Sequence, residues 1–168
     1  DNKLKNYVIG NPKQVRVDYF NYVFIRQDPP YNMEYISSMH LLEQVKGPTK
    51  FINHPNGIRN APEKISMLSY KEIIPPTVIT REKKEINDFI KQNGKCVIKP
   101  LYGNGGESIF LLDKQDENYN QIIERFIDQL KEPFIIQKFL PEIKHGDKRI
   151  ILVNGVPIAA LRRIPKNN

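Results

Sequence analysis

The 168-residue sequence predicts a mixed fold, in which an α/β segment is followed by an α+β segment. Three observations support this prediction. A strand–helix–strand pattern runs through residues 22–52. Further along, two amphipathic helical stretches alternate with short apolar runs, as in a small sheet covered by helices. A glycine-rich turn also separates two apolar runs within residues 96–112, which indicates a hairpin.

The α/β segment begins with an apolar run at residues 22–25, which we interpret as a buried strand. A helix is predicted over residues 33–46, with one apolar face made by Ile36, Met39, Leu42 and Val45. A second strand is predicted over residues 49–52. A further helix should start with Asn60 as its N-cap and Glu63 at the capping-box position.

The α+β segment contains two predicted helices, at residues 81–92 and 118–131, and strands at 77–79, 96–100, 109–112 and 134–139. Thr80 should cap the first helix and Gly94 should end it. The apolar stripe of the second helix is that of a core-facing helix. A final hairpin over residues 148–163 should turn at Asn154-Gly155. We therefore expect two helices on one side of a mostly antiparallel sheet.

Composition restricts the functional classes. The net charge of +7 suits a polyanionic ligand, but acidic and basic residues alternate without a basic block, which favours a small phosphate-bearing ligand over nucleic acid. Cys96 is the single cysteine and lies in an apolar run, so a buried small side chain is favoured over a nucleophile. No apolar stretch is long enough to span a membrane, and we expect a cytoplasmic protein without membrane partners.

The segment from Cys96 to Ser108 is the strongest functional motif. An apolar strand ends in Lys99-Pro100 and breaks into a turn with glycines at 103, 105 and 106. Glycines let backbone amides approach an anion, and a lysine adds a mobile positive charge. The lysine precedes the glycines and a strand follows them, so this is not a Walker-type phosphate loop. An ordinary glycine-rich hairpin without a ligand is the alternative interpretation.

Polar residues also follow the later strands. Residues 137–140 close one strand and could present backbone groups to a purine edge. Asp147 could accept hydroxyls from a ribose, and Arg149 lies two residues further along the same face of a strand. A surface ion pair between Asp147 and Arg149 is the alternative.

Five segments in order resemble bacterial glutathione synthetases, which are ATP-grasp ligases. They are Arg-Gln-Asp-Pro-Pro-Tyr from residue 26, Asn-Ala-Pro-Glu-Lys from 60, the glycine-rich hairpin from 97 to 110, Gln-Lys-Phe-Leu-Pro-Glu-Ile-Lys-His-Gly-Asp-Lys-Arg from 137, and Arg-Ile-Pro from 163. The resemblance runs from about residue 20 to the end of the sequence.

The resemblance implies a reaction. ATP phosphorylates the carboxylate of γ-glutamylcysteine, and the amine of glycine displaces phosphate from the acyl phosphate to give glutathione. It implies ATP and Mg²⁺ as cofactors, with no metal ligand among these residues. It also implies small-molecule substrates rather than nucleic acid, and a homo-oligomer.

The resemblance assigns roles residue by residue. Lys64 and Lys99 would contact the phosphates, and Gly103, Gly105 and Gly106 would form a small loop over them. The hinge beside adenine would be Gln137, Lys138, Phe139 and Leu140. Asp147 would face the ribose and Arg149 would be the catalytic residue at the transferring phosphoryl group. Arg26 and Arg163 would bind substrate carboxylates.

The resemblance also predicts an incomplete ATP-grasp fold. Residues 1–61 would end an N-terminal α/β domain, residues 62–138 would form the small lobe, and residues 139–168 would begin the large lobe, so we expect an internal fragment. Tyr102, Asn104 and Lys138 depart from the family's usual residues. Alternatives are another ATP-grasp carboxylate–amine ligase, a degenerate domain that binds nucleotide without catalysis, and a nucleic-acid-binding protein.

Overall fold

The computed structural model describes residues 10–103 and 108–164. The chain forms two compact units, Asp1–Glu63 and Lys64–Asn168. In the first unit, the parallel strands β1 (Tyr22–Phe24) and β2 (Lys50–Ile52) are joined through helix α1 (Met33–Glu43). A short helix, α2 (Pro55–Asn60), follows β2. The predicted strand–helix–strand unit is confirmed.

Helix α1 begins and ends for identifiable reasons. The Asn32 side chain caps it by accepting a hydrogen bond from the Tyr35 amide at 3.0 Å. Met39 lies at the centre of the predicted apolar face and is buried. The helix ends at Glu43, three residues before the predicted end. The amide of the next residue, Gln44, donates to the carbonyls of Leu41 and Leu42.

Two expectations for the first unit are wrong. Asn60 is the last residue of α2 and caps no following helix, because its side chain donates back to Asn56 Oδ1 at 3.1 Å. Helix α3 (Glu63–Ser66) starts three residues later. Strand β1 is also less buried than expected, since Tyr22 and Phe24 are exposed and Val23 is partly buried.

The second unit contains a four-stranded antiparallel sheet in the order β3-β6-β4-β5. Its strands are β3 (Thr77–Thr80), β4 (Cys96–Pro100), β5 (Phe110–Leu112) and β6 (Phe134–Lys138). Helices α4 (Lys83–Asn93) and α5 (Tyr119–Gln129) connect them. Gly94 ends α4 with a φ of 73°, as the sequence predicted, and its amide donates to the Ile90 carbonyl.

One face of this sheet holds the core. Ile86 and Ile90 of α4 and Ile123 and Phe126 of α5 pack against strand residues. The strand residues in this core are Cys96, Ile98, Leu112, Phe134 and Ile136. Because strand side chains alternate, Val97, Lys99, Ile135 and Gln137 occupy the opposite face. Two helices on one side of an antiparallel sheet were predicted, and the packing confirms it.

A separate hairpin follows, made of β7 (Asp147–Val153) and β8 (Val156–Arg163). It turns at Asn154 and Gly155, which have φ values of 51° and 78°. Both residues therefore adopt the left-handed conformation that the sequence predicted for this turn. Apart from the partly buried Asp147, the residues of both strands are exposed.

Phe126 is central to the core because its ring makes edge-to-face contacts with Phe110 and Phe134, at centroid distances of 5.9 and 5.3 Å. We expect Phe126→Ala to lower the free energy of unfolding by about 3–5 kcal/mol, through lost burial and a residual cavity. Denaturant unfolding measures this. The exposed Asp128→Ala on the same helix should change stability by less than about 0.5 kcal/mol. Equal losses in the two variants would contradict this assignment of the core.

Candidate functional site

Lys99 lies near the end of β4 on the sheet face opposite the helices. Its Nζ donates to Gln137 Oε1 at 3.0 Å. In turn, Gln137 Nε2 donates to Thr77 Oγ1 at 2.7 Å, and Thr77 Oγ1 donates to the Pro75 carbonyl at 2.7 Å. This hydrogen-bonded chain crosses β4, β6 and β3, so the position of Lys99 is defined by two neighbouring strands.

Lys64 reaches the same end of β4 from helix α3. Its Nζ donates to the carbonyl of Pro100, the residue after Lys99, at 2.8 Å. It also lies close to Gly103, because a Cβ placed on that glycine would be 3.8 Å from Lys64 Nζ. The structure therefore brings the two predicted phosphate lysines to neighbouring positions of one strand end, although they are far apart in sequence.

The described residues of the glycine-rich turn show why position 103 favours a glycine. A Cβ at Gly103 would lie 3.1 Å from Pro100 Cγ, so a larger residue would require a small shift of the proline ring. Gly105 and Gly106 lie outside the described residues. Beyond them, Ser108 has a φ of 58°, a conformation that only a few per cent of residues other than glycine adopt.

A cavity of about 250 Å³ opens beside this turn. Tyr102, Gly103 and Ser108 line one side, and Arg125 and Phe126 of α5 lie on another. We did not predict this cavity from the sequence, because the helical spacing of Arg125 gives no signal that it approaches the turn.

The hinge segment after β6 is held by main-chain hydrogen bonds. The Lys138 amide donates to the Pro76 carbonyl at 2.9 Å, and the Phe139 amide donates to the Lys95 carbonyl at 3.0 Å. Leu140 follows with an exposed side chain and introduces the short helix Pro141–His145. The amides of Lys138 and Phe139 are thus used within the fold.

Asp147 pairs across the hairpin with Arg163. The two residues are opposite each other in the β7–β8 register, and the Arg163 Nε and Nη2 atoms donate to the two carboxylate oxygens at 2.7 and 2.5 Å. This bidentate bond lowers the pKa of Asp147, and Arg149 adds a smaller charge effect in the same direction. The alternative of an Asp147–Arg149 ion pair is therefore wrong, because the cross-strand partner is better placed.

Gly146 makes this pairing sterically possible. It has a φ of 88°, and a Cβ on it would lie 2.1 Å from the Arg163 carbonyl oxygen. Any larger residue would push β8 away at the position of the ion pair.

Arg26 and Cys96 differ in their exposure to solvent. Arg26 follows β1 in the first unit and is exposed. Cys96 is fully buried in the core of the second unit, where burial raises its pKa to about 11. Very little thiolate exists at neutral pH with such a pKa, so Cys96 packs as an apolar side chain.

Within residues 10–103 and 108–164, no three His, Cys, Asp or Glu side chains come together as a metal site would require. In that same part of the chain, no helix has both the length and the apolar character needed to cross a membrane.

The four-stranded antiparallel sheet with two helices on one face agrees with the ATP-grasp fold that the resemblance predicted. Residues 63–168 match the family model described as prokaryotic glutathione synthetase, ATP-grasp domain. Residues 1–59 match the N-terminal domain of the same enzymes. The chain therefore belongs to the prokaryotic glutathione synthetase family, and the predicted fold class is confirmed.

Individual relatives agree with the family model. The chain is 44% identical over 165 residues to a glutathione synthetase of Rhodopseudomonas palustris, covering 98% of this chain and 53% of that protein. It thus spans about half the length of the curated relatives it matches.

Solved structures agree on the fold. D-cycloserine synthetase DcsG matches with a TM-score of 0.70 at 16% identity, covering 91% of this chain and 55% of that chain. The ATP-grasp ligase PsnB, complexed with a minimal precursor, Mg and ADP, matches with a TM-score of 0.54 at 21% identity, covering 84% and 52%. At these identities the matches establish the fold alone.

The Asp147–Arg163 pair predicts a pH dependence for the hairpin. Because the folded-state pKa of Asp147 is below its ordinary 3.8, the pair stabilises the hairpin above that pH. This stabilisation is lost as the pH falls through the lowered value. A carboxyl-carbon NMR titration should find the Asp147 midpoint below 3.8, and Arg163→Met should raise it.

Arg162→Met is the matched control, because Arg162 is the neighbouring arginine and donates to the His145 carbonyl instead. It should leave the Asp147 midpoint low. A midpoint that responds equally to both substitutions would rule out the specific cross-strand pair.

Proposed function

We propose that the protein is an ATP-dependent ligase that joins γ-glutamylcysteine to glycine and forms glutathione. The observation that carries the proposal is the arrangement of Lys64 and Lys99 at one end of β4, beside the glycine-rich turn. Membership of the glutathione synthetase family supports the choice of substrates. We place the reaction in the cytoplasm, where a substrate with a free thiol stays reduced.

In this proposal, the terminal phosphoryl group of ATP is transferred to the carboxylate of γ-glutamylcysteine, which releases ADP. The amine of glycine then attacks the acyl carbon, a peptide bond forms and phosphate leaves. Phosphoryl transfer depends mainly on positioning and on compensation of negative charge. Two lysines near one strand end supply fixed positive charge for the phosphates, and glycine at 103 leaves space for a phosphate to approach the backbone.

The hinge would hold the adenine. The amides of Lys138 and Phe139 donate within the fold, and the Leu140 carbonyl accepts from the Ile143 amide. We therefore assign the main-chain contact with the base to the Leu140 amide. The exposed Leu140 side chain and the partly buried Phe139 would pack against the base.

The hairpin would contribute the ribose and phosphoryl contacts. Asp147 would accept ribose hydroxyls while it stays paired with Arg163, and Arg149 would approach the transferring group. The bond to Asp147 orients the Arg163 guanidinium, for which we retain a role in binding a substrate carboxylate. For Arg26 we retain the same role as a separate proposal.

We also propose the domain boundaries given by the resemblance, namely an N-terminal segment to residue 61, a small lobe from 62 to 138 and the start of a large lobe from 139. The nucleotide would be MgATP, in line with the Mg and ADP bound to PsnB. The described residues contain no cluster of three carboxylate or other metal-ligating side chains, so we assign no Mg²⁺ ligand among them. A homo-oligomer is the assembly we propose.

Removal of either lysine should weaken nucleotide binding. We expect Lys64→Met and Lys99→Met each to weaken MgATP binding by about 10- to 100-fold, since a hydrogen bond to a charged group contributes about 1.5–3 kcal/mol. Isothermal titration calorimetry on the intact gene product measures this. Lys84→Met, on the exposed face of α4, removes the same charge away from the site and should bind MgATP like the wild type. A comparable loss of MgATP affinity in all three variants would mean that net charge alone explains the effect.

The substrate assignment is tested by phosphate release. The intact gene product should release phosphate with MgATP, γ-glutamylcysteine and glycine, and mass spectrometry should detect glutathione. Omission of glycine should abolish product formation. Turnover with another acid–amine pair but not with γ-glutamylcysteine would show a different ATP-grasp ligase, whereas MgATP binding without turnover on any pair would show a non-catalytic nucleotide-binding protein.

A further inference from the structure

The hydrogen-bonded chain through Thr77, Gln137 and Lys99 has a defined polarity. The Thr77 hydroxyl has one hydrogen, which it donates to the Pro75 carbonyl at 2.7 Å. Its oxygen is therefore left to accept, and it accepts from Gln137 Nε2 at 2.7 Å. With the nitrogen of the glutamine amide fixed toward Thr77, the amide oxygen must face Lys99.

This polarity matters because a glutamine amide can rotate by half a turn at little cost to packing. In the rotated state the amide NH₂ would face the Lys99 ammonium, and two donors cannot form a hydrogen bond. Because its hydrogen is given to the Pro75 carbonyl, the Thr77 hydroxyl favours the state in which Gln137 Oε1 accepts from Lys99 Nζ, at 3.0 Å. All three side chains are partly buried, so these bonds compete less with water than bonds at an exposed surface would.

The strand register explains why these residues meet. Thr77 and Gln137 are directly paired between β3 and β6, and Gln137 is paired with Val97 in β4. Lys99 lies two residues beyond Val97 on the same face, within diagonal reach of Gln137. The contact thus depends on an unshifted pairing of three strands.

We propose that Thr77 and the side chain of Gln137 are positioning residues for Lys99, and that they act on phosphate binding rather than on recognition of the base. This inference rests on the proposed function, because it assumes that Lys99 contacts the nucleotide phosphates. It differs from an adenine-binding role for the Gln137 side chain, since that amide is bonded on one end to Lys99 and on the other to Thr77.

The test compares binding of MgATP with binding of adenosine, which has no phosphate, in the intact gene product. Thr77→Val keeps the branched shape and removes the hydroxyl. We expect it to weaken MgATP binding by about threefold to tenfold and to leave adenosine binding unchanged. That range equals about 0.7–1.4 kcal/mol at 1.4 kcal/mol per tenfold, in keeping with the loss of one hydrogen bond. Thr77→Ser restores a hydroxyl and should bind both ligands like the wild type.

Thr80→Val is the matched control. It removes a hydroxyl from the same strand, but Thr80 is buried and its Oγ1 accepts from the Glu82 amide at the start of α4. It should lower thermal stability and leave both affinities unchanged. If Thr77→Val does not fold, Gln137→Met carries the same expectation, namely weaker MgATP binding with unchanged adenosine binding.

The outcomes separate this inference from the proposed function. A wild-type protein that does not bind MgATP overturns both. If the wild type binds MgATP but Thr77→Val and Thr80→Val behave alike, the function stands and the positioning role is wrong. An equal loss of adenosine affinity in Thr77→Val would also overturn it, because the Gln137 side chain would then act on the base.

Discussion

The antiparallel pairing of β4 with β6 is the constraint on which the candidate site depends. Ile98 and Ile136 are paired and face the helices, whereas Lys99 and Gln137 face the other way. Because side chains alternate along a strand, a shift of one residue would turn Lys99 toward the apolar core and Ile98 away from it. The hydrophobic contacts of α4 and α5 with one face therefore fix which side of the sheet carries the lysine.

The same pairing links stability to the expected chemistry. The aromatic contacts of Phe126 with Phe110 and Phe134 hold α5, β5 and β6 together. The glycine-rich turn joins β4 to β5 at the edge of this packed region, with Lys64 bonded to the Pro100 carbonyl at its start. A packed core thus supports the strand ends between which this turn runs. This division is common in binding sites, where rigid elements hold loops that carry the functional groups.

The hairpin of β7 and β8 shows how cross-strand geometry changes the meaning of a sequence motif. In the sequence, Asp147 and Arg149 stand two residues apart and suggest a pair with each other. In the fold, Arg163 is directly opposite Asp147 and its planar guanidinium matches both carboxylate oxygens. The positive φ of Gly146 leaves room for β8 at that point. The ion-pair partner of Asp147 is therefore determined by pairing across strands and not by spacing along one strand.

The sequence by itself determined the elements of the second unit, because apolar periodicity and local signals such as Gly94 and Asn154-Gly155 act over a few residues. It misplaced the N-cap of α4, which is Glu82 and not Thr80. It also indicated Lys99 and the glycines as candidate site residues, although their roles stay predictions. It misplaced Asn60, which is the last residue of α2 and not the N-cap of the next helix. Only the tertiary structure brought Lys64 to Pro100, Thr77 to Gln137 and Arg163 to Asp147. The physical reason is that hydrogen bonds between distant segments depend on strand register and packing, which no local pattern encodes.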